Sequence, residues 1–195
     1  RTMMARAAAI NIAIQGLIDR GELRIVQIDP ESHTVDEFGA MVRSAVEDDG
    51  VEVVMIDGMQ GFKRNLRGFS EDPAAALLRI GRYLRSMGIT GIVTNEVHTI
   101  TGDFQVTEEG TSNLADNIVF IRHVEYHGEV RKVIGALKMR TSDFERTLRE
   151  LDITEYGISV GEPLSHLSGI LTGTPEWSQR DSPPVTRRPE RGLGD

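Results

Sequence analysis

Val51-Glu-Val-Val-Met-Ile-Asp57 decides how this chain is read. Four apolar residues run without a break from Val53 to Ile56. Glu47-Asp48-Asp49-Gly50 precedes the stretch and Gly58 follows it. A short apolar run between turn residues is the pattern of a strand buried on both faces, and such strands belong to parallel sheets. The run ends in a carboxylate. In open α/β sheets ligands sit outside the carboxyl ends of the strands. An Asp at that place can hold a metal-bound water beside a nucleotide phosphate. The simpler alternative is an Asp that only caps the next turn.

Working outward, residues 3–20 carry Ile10, Ile14, Leu17 and Ile18 on one stripe, which predicts a single helix ended by Gly21. Leu23–Ile28 reads as a strand closed by Asp29-Pro30. Ser32 or Thr34 caps a helix from Val35 to Glu47, with Phe38, Met41, Val42 and Val46 inward. Beyond the central strand, Gly58–Asp72 is a polar, basic loop. Pro73 suits the first turn of a helix over Ala74–Met87, and Gly88 ends it. Ile89–Val93 is the next strand, finishing in Thr94-Asn95-Glu96. Helix and strand alternate, so βαβ crossovers and a parallel sheet follow, with right-handed connections.

Past Glu96 the pattern changes. Val97–Asn113 is polar and glycine-bearing, a long loop. Asn117–Tyr126 and Val130–Met139 read as a hairpin around His127-Gly128-Glu129. Leu148–Thr154 and Ile158–Val160 give two shorter strands around Tyr156-Gly157. The expected fold class is therefore α/β: a parallel central sheet with an antiparallel C-terminal hairpin extension. Residues 178–195 have almost nothing to bury and are expected to be disordered.

The chain has 195 residues, enough for one domain or a little more and for a sizeable core. Its net charge of -8 gives no general basic footprint for nucleic acid. There is no cysteine, hence no disulfide and no thiolate metal site. No apolar run reaches membrane-spanning length and no signal peptide is visible. A cytoplasmic protein without a membrane partner is expected. Arg1 rather than Met opens the chain, within a helix already under way, which reads as a chain whose beginning has been lost.

Several groups carry candidate chemistry. Asn95 and Glu96 end the strand after the central one. If the two strands are neighbours, their polar ends share a crevice with Asp57, where Asn95 or Glu96 senses a γ-phosphate or orients a water. The alternative is an ordinary strand-to-loop transition. In Lys138-Met139-Arg140, alternation puts Lys138 and Arg140 on one face. Two adjacent cations repel unless an anion lies between them, and a phosphate suits the arginine fork and the lysine point charge. A solvated basic patch is the alternative. His123, Glu125 and His127 share a face and could bind zinc, although the outward face of a hairpin is polar in any case. No Gly-x-x-x-x-Gly-Lys-Ser/Thr occurs, and none of the three lysines follows a glycine, so this stretch contains no P-loop cradle.

At Lys138-Met139-Arg140 the sequence resembles the carboxyl-terminal part of KaiC-like ATPases of the RecA superfamily. Leu137 to Thr154, Ile25-Val-Gln-Ile-Asp-Pro30, Val53–Asp57 and Ile89-Thr-Gly-Ile-Val-Thr-Asn-Glu96 carry the resemblance. So do Asn113 to Glu125 and Leu171-Thr-Gly-Thr-Pro175. It runs from about Ala5 to Trp177. The resemblance implies a RecA-like three-layer sandwich over residues 1–177 whose first strand and P-loop would lie before Arg1. It implies ATP and Mg²⁺ as ligands and a ring, usually a hexamer, with nucleotide at subunit interfaces. By it, Asp57 matches the Walker B Asp and the metal-holding position. Asn95, Lys138, Arg140 and Ser142 join Asp57 around nucleotide, and Glu96, Lys138 and Arg140 join it in catalysis. Lys138 and Arg140 reach the nucleotide of the neighbouring subunit. Thr141 stands where the family often has Gly. The family's clock members phosphorylate a Ser-Thr pair, whereas the matching positions here are Ser112 and Asn113, with one hydroxyl.

The resemblance makes this the Walker B and interface-finger portion of an ATPase, inactive without a Walker A segment. Its partners are further copies of itself or a full-length relative, and it leaves room for signalling or regulatory proteins. A non-catalytic RecA-like oligomerisation or regulatory module is the alternative. A DnaB-like DNA motor is a second, but Val97–Asn113 is acidic with Phe104 as its one aromatic, a poor fit to single-stranded nucleic acid.

Overall fold

A computed structural model describes residues 2–28, 33–58, 73–96, 115–126, 128–140, 143–165, 167–169 and 176–177. The chain runs through helices α1 (Thr2–Ala9), α2 (Ile14–Asp19) and α3 (Val35–Glu47), strand β1 (Val53–Ile56) and helix α4 (Pro73–Ser86). Strands β2 (Thr90–Val93), β3 (Asn117–Tyr126), β4 (Glu129–Met139), β5 (Arg149–Thr154), β6 (Gly157–Pro163), β7 (Leu167–Ser168) and β8 (Glu176–Trp177) follow. The loop at Val97–Asn113, His127, Ser142 and the tail from residue 178 lie outside the described residues.

The α/β expectation holds: β1 and β2 pair in parallel from Val53↔Thr90 to Ile56↔Val93, with α4 as their crossover. Helix α3 starts where the sequence suggests. Thr34 Oγ1 accepts the Glu37 N–H at 3.2 Å, and Glu37 Oε2 accepts the Thr34 N–H at 2.7 Å. This reciprocal capping box satisfies two amides that the first helical turn leaves without a partner. Both helices lay their apolar stripes on one face of β1 and β2. Val42, Val46, Ile80 and Leu84 are buried there, with Phe38, Val54, Tyr83 and Ile89 packed against them.

Three expectations are corrected. Residues 3–20 form two helices, because Asn11 takes a left-handed conformation (φ 56°) that ends α1. Leu23–Ile28 is not a strand. No described strand lies beside it to take its ladder hydrogen bonds, Val26 is 55% exposed, and Arg24 instead pairs with Asp49 at 2.6 Å. The central strand is not buried on both faces. Val53 and Met55 remain 53% and 61% exposed, because α3 and α4 cover the same side.

The second sheet is antiparallel in the order β3-β4-β5-β6. Val124 and Val133 are buried on its inner face with Leu148 and Leu164 against them. Gly135 lies opposite Phe120 and leaves room for the Phe120 ring and Leu148; a Cβ there would overlap both. Between Ile118 and Val119 the pairing slips, from Lys138 to Ala136. Leu137 is thus an extra residue on β4, a bulge that re-aims the strand end. No helix among the described residues is long and apolar enough to cross a membrane.

Candidate functional site

The carboxyl edge of the parallel pair gathers three of the predicted residues. The ladder continues past β2, where the Thr94 N–H donates to the Ile56 carbonyl at 3.0 Å. Asp57, Asn95 and Glu96 therefore leave the sheet at one edge, all exposed. Thr94 is the residue that sequence reasoning missed. Its Oγ1 donates to Asp57 Oδ1 at 2.6 Å and accepts the Gly58 N–H at 2.9 Å. One hydroxyl thus fixes the carboxylate and the turn that follows. Gly58 has φ 87°, a conformation a side chain would oppose. The signal was available: Thr94 is the first polar residue after the β2 apolar run. Only the register could show that it faces Asp57.

Lys138 and Arg140 are not brought to this edge. Without the bulge, Lys138 would share a face with Ile134 and Ala136. With it, Lys138 lies opposite Ile118, on the face of Phe120 and Val124. Arg140 follows two residues later. Its N–H donates to the Asp116 carbonyl at 3.1 Å, and its Nη1 lies 3.8 Å from Asp116 Oδ1. Arg85 Nη2 donates to both Asp116 carboxylate oxygens, at 2.8 and 2.7 Å. Arg85 sits in the last turn of α4, immediately before β2 begins. Helix α4 spans 14 residues, about 21 Å, and carries the chain back from the carboxyl edge to the amino edge. Asp57 and Arg140 of one chain therefore occupy opposite edges of the parallel pair.

Among the described residues no three His, Asp or Glu side chains converge as a metal cage. His123 and Glu125 are exposed on the outer face of β3. A single carboxylate such as Asp57 nevertheless fits Mg²⁺ of the nucleotide-bound kind, which takes one or two protein carboxylates and the phosphates themselves.

The family model for the KaiC ATPase matches residues 1–165. The chain belongs to the KaiC family of ATPases. Within this RecA-like P-loop superfamily it is a distant relative of the cyanobacterial KaiC proteins. It is 28% identical to the circadian clock oscillator protein KaiC of Thermostichus vulcanus over 197 residues, covering 100% of this chain and 38% of that protein. It is 25% identical to the circadian clock protein KaiC3 of Synechocystis over 178 residues, covering 90% of this chain and 34% of that protein. The KaiC-family chain thus spans little more than a third of the length of the relatives it matches.

Proposed function

We propose that this chain is the Walker B and interface-finger portion of a KaiC-like ATP-hydrolysing domain with a RecA-like three-layer sandwich. The observation that carries the reading is the hydrogen-bonded junction of Asp57, Thr94 and Gly58 at the carboxyl ends of two parallel strands. In open α/β sheets ligands bind outside the carboxyl ends of the strands, and a carboxylate there can hold the Mg²⁺ of a bound nucleotide. Asp57 is then the Mg²⁺-side carboxylate, and Thr94 holds it in one orientation. Asn95 and Glu96 line the same edge, where they orient the attacking water and sense the γ-phosphate. Bound Mg²⁺ would neutralise charge on the transferring phosphoryl group.

Lys138 and Arg140 serve the nucleotide of the next subunit. The geometry supports this, since Arg140 is linked through Asp116 to Arg85 at the end of α4 that leads into β2, whereas Asp57 and Thr94 lie at the other end of that strand. A ring, a hexamer in this family reading, would bring one subunit's amino edge to its neighbour's carboxyl edge through a heterologous contact. Ser142 would join the cations from the segment just beyond Arg140. These 195 residues contain no Gly-x-x-x-x-Gly-Lys-Ser/Thr, so the activity test supplies a P-loop segment from a full-length KaiC relative. With that segment present, Asp57→Asn abolishes ATPase activity, and Arg140→Ala lowers kcat on the order of 1,000-fold, as loss of an arginine finger does. Normal turnover in either variant removes the assignment.

One observation favours a second reading, a non-catalytic oligomerisation or regulatory module. Val53, Met55 and Ile92 present an apolar sheet face that is 44–61% exposed. Light scattering with and without ATP and a full-length KaiC relative separates the two. Association indifferent to ATP supports the module; ATP-dependent assembly supports the ATPase.

A further inference from the structure

We propose that Asp116 is a positioning residue for Arg140, part of an Arg85–Asp116–Arg140 arrangement that sets how the arginine is presented. The inference deepens the ATPase reading and rests on it for its catalytic consequence, though not for its structural one.

Asp116 acts on Arg140 in two ways. Its backbone carbonyl accepts the Arg140 N–H at 3.1 Å, which extends the β3–β4 ladder beyond Met139 and fixes the strand end. Its carboxylate is anchored by Arg85, whose Nη2 donates to both oxygens. Arg140 Nη1 stands 3.8 Å from the same carboxylate, within ion-pair reach but beyond hydrogen-bond distance. The anion therefore orients the guanidinium by charge without engaging its donors from that nitrogen. Arg140 is 43% exposed and Asp116 45% exposed, so the tether is weak and screened by water. A dianionic phosphate outcompetes it. That is what a presented arginine requires: a preferred direction that costs little to leave. Arg85, in turn, links the arrangement to the end of α4.

The bulge at Leu137 makes the arrangement possible. It turns Lys138 and Arg140 to the face of Ile118, which is also the face of Asp116, two residues earlier and just before β3 begins. Without the extra residue, Arg140 would point away from Asp116.

The structural arm of the test uses the chain itself. In ¹⁵N-arginine spectra, the side-chain Nε–Hε signal of Arg140 is assigned by its disappearance in Arg140→Lys. It should show motion of smaller amplitude in the parent protein than in Asp116→Asn, and motion restricted again in Asp116→Glu. Order unchanged in Asp116→Asn overturns the proposal. The functional arm uses the P-loop-completed assembly. Asp116→Asn should lower kcat about 10-fold with KM for ATP nearly unchanged, and should have no further effect in an Arg140→Ala background. Parent-like kcat in Asp116→Asn, with Arg140→Ala inactive, overturns the positioning role alone. Parent-like kcat in Arg140→Ala overturns the ATPase reading, while the arginine spectra still decide whether Asp116 orders the side chain.

Discussion

Thr94 shows how much one hydroxyl can fix. It joins the ends of two strands across 37 residues of sequence, donating a hydrogen bond to Asp57 and accepting one from the Gly58 N–H. Thr94→Val keeps the shape and removes both bonds. In the completed ATPase it should lower kcat about 10- to 100-fold, because a carboxylate released from one orientation is a misplaced one. Thr94→Ser should restore most of the rate, and a parent-like Thr94→Val would show that Asp57 needs no such support. The sequence made Asp57, Asn95 and Glu96 legible as an edge cluster, because a carboxylate after an apolar run is a local pattern. Thr94 was hidden because its partner is distant in sequence. The Asp116–Arg140 pair was hidden for the same reason, and because a bulge leaves no mark on alternation.

At the scale of elements, local chemistry was legible and neighbours were not. The capping residues before α3 were visible in the order Thr34, Val35, Asp36, Glu37, and the helix begins where they place it. Thr34→Ala should destabilise the fold by about 1 kcal/mol, read by denaturant unfolding. The Thr34 backbone and hydroxyl hydrogen bonds hold the Glu37 carboxyl below its ordinary value. A depressed pKa means the bond contributes above the carboxylate's unfolded value and is lost as pH falls through the folded one. Glu37→Gln should therefore remove a small acid-dependent part of the unfolding curve; an unchanged acid limb would contradict the cap. On β4, Gly135→Ala forces a methyl into Phe120 and Leu148, and should cost about 1–3 kcal/mol by overpacking. A neutral result would mean that the two side chains can yield. Leu23–Ile28 was misread as a strand because its apolar pattern is local, whereas a strand exists only with a ladder partner.

At the scale of the whole molecule, the two candidate clusters stand on opposite edges of the parallel pair, with α4 between them. Within one chain, the Arg85–Asp116 contact draws Arg140 toward the end of β2 away from Asp57. A head-to-tail ring can bring it to the Asp57 of a neighbour. The most direct measurement mixes two inactive proteins, each with its P-loop segment: Asp57→Asn subunits and Arg140→Ala subunits, combined, allowed to exchange and assayed for ATPase activity. If the site is shared between subunits, an equal mixture regains up to about a quarter of parental activity, because that share of heterologous interfaces pairs an intact Asp57 with an intact Arg140. A mixture as inactive as its components, with subunit exchange demonstrated, would contradict the shared site.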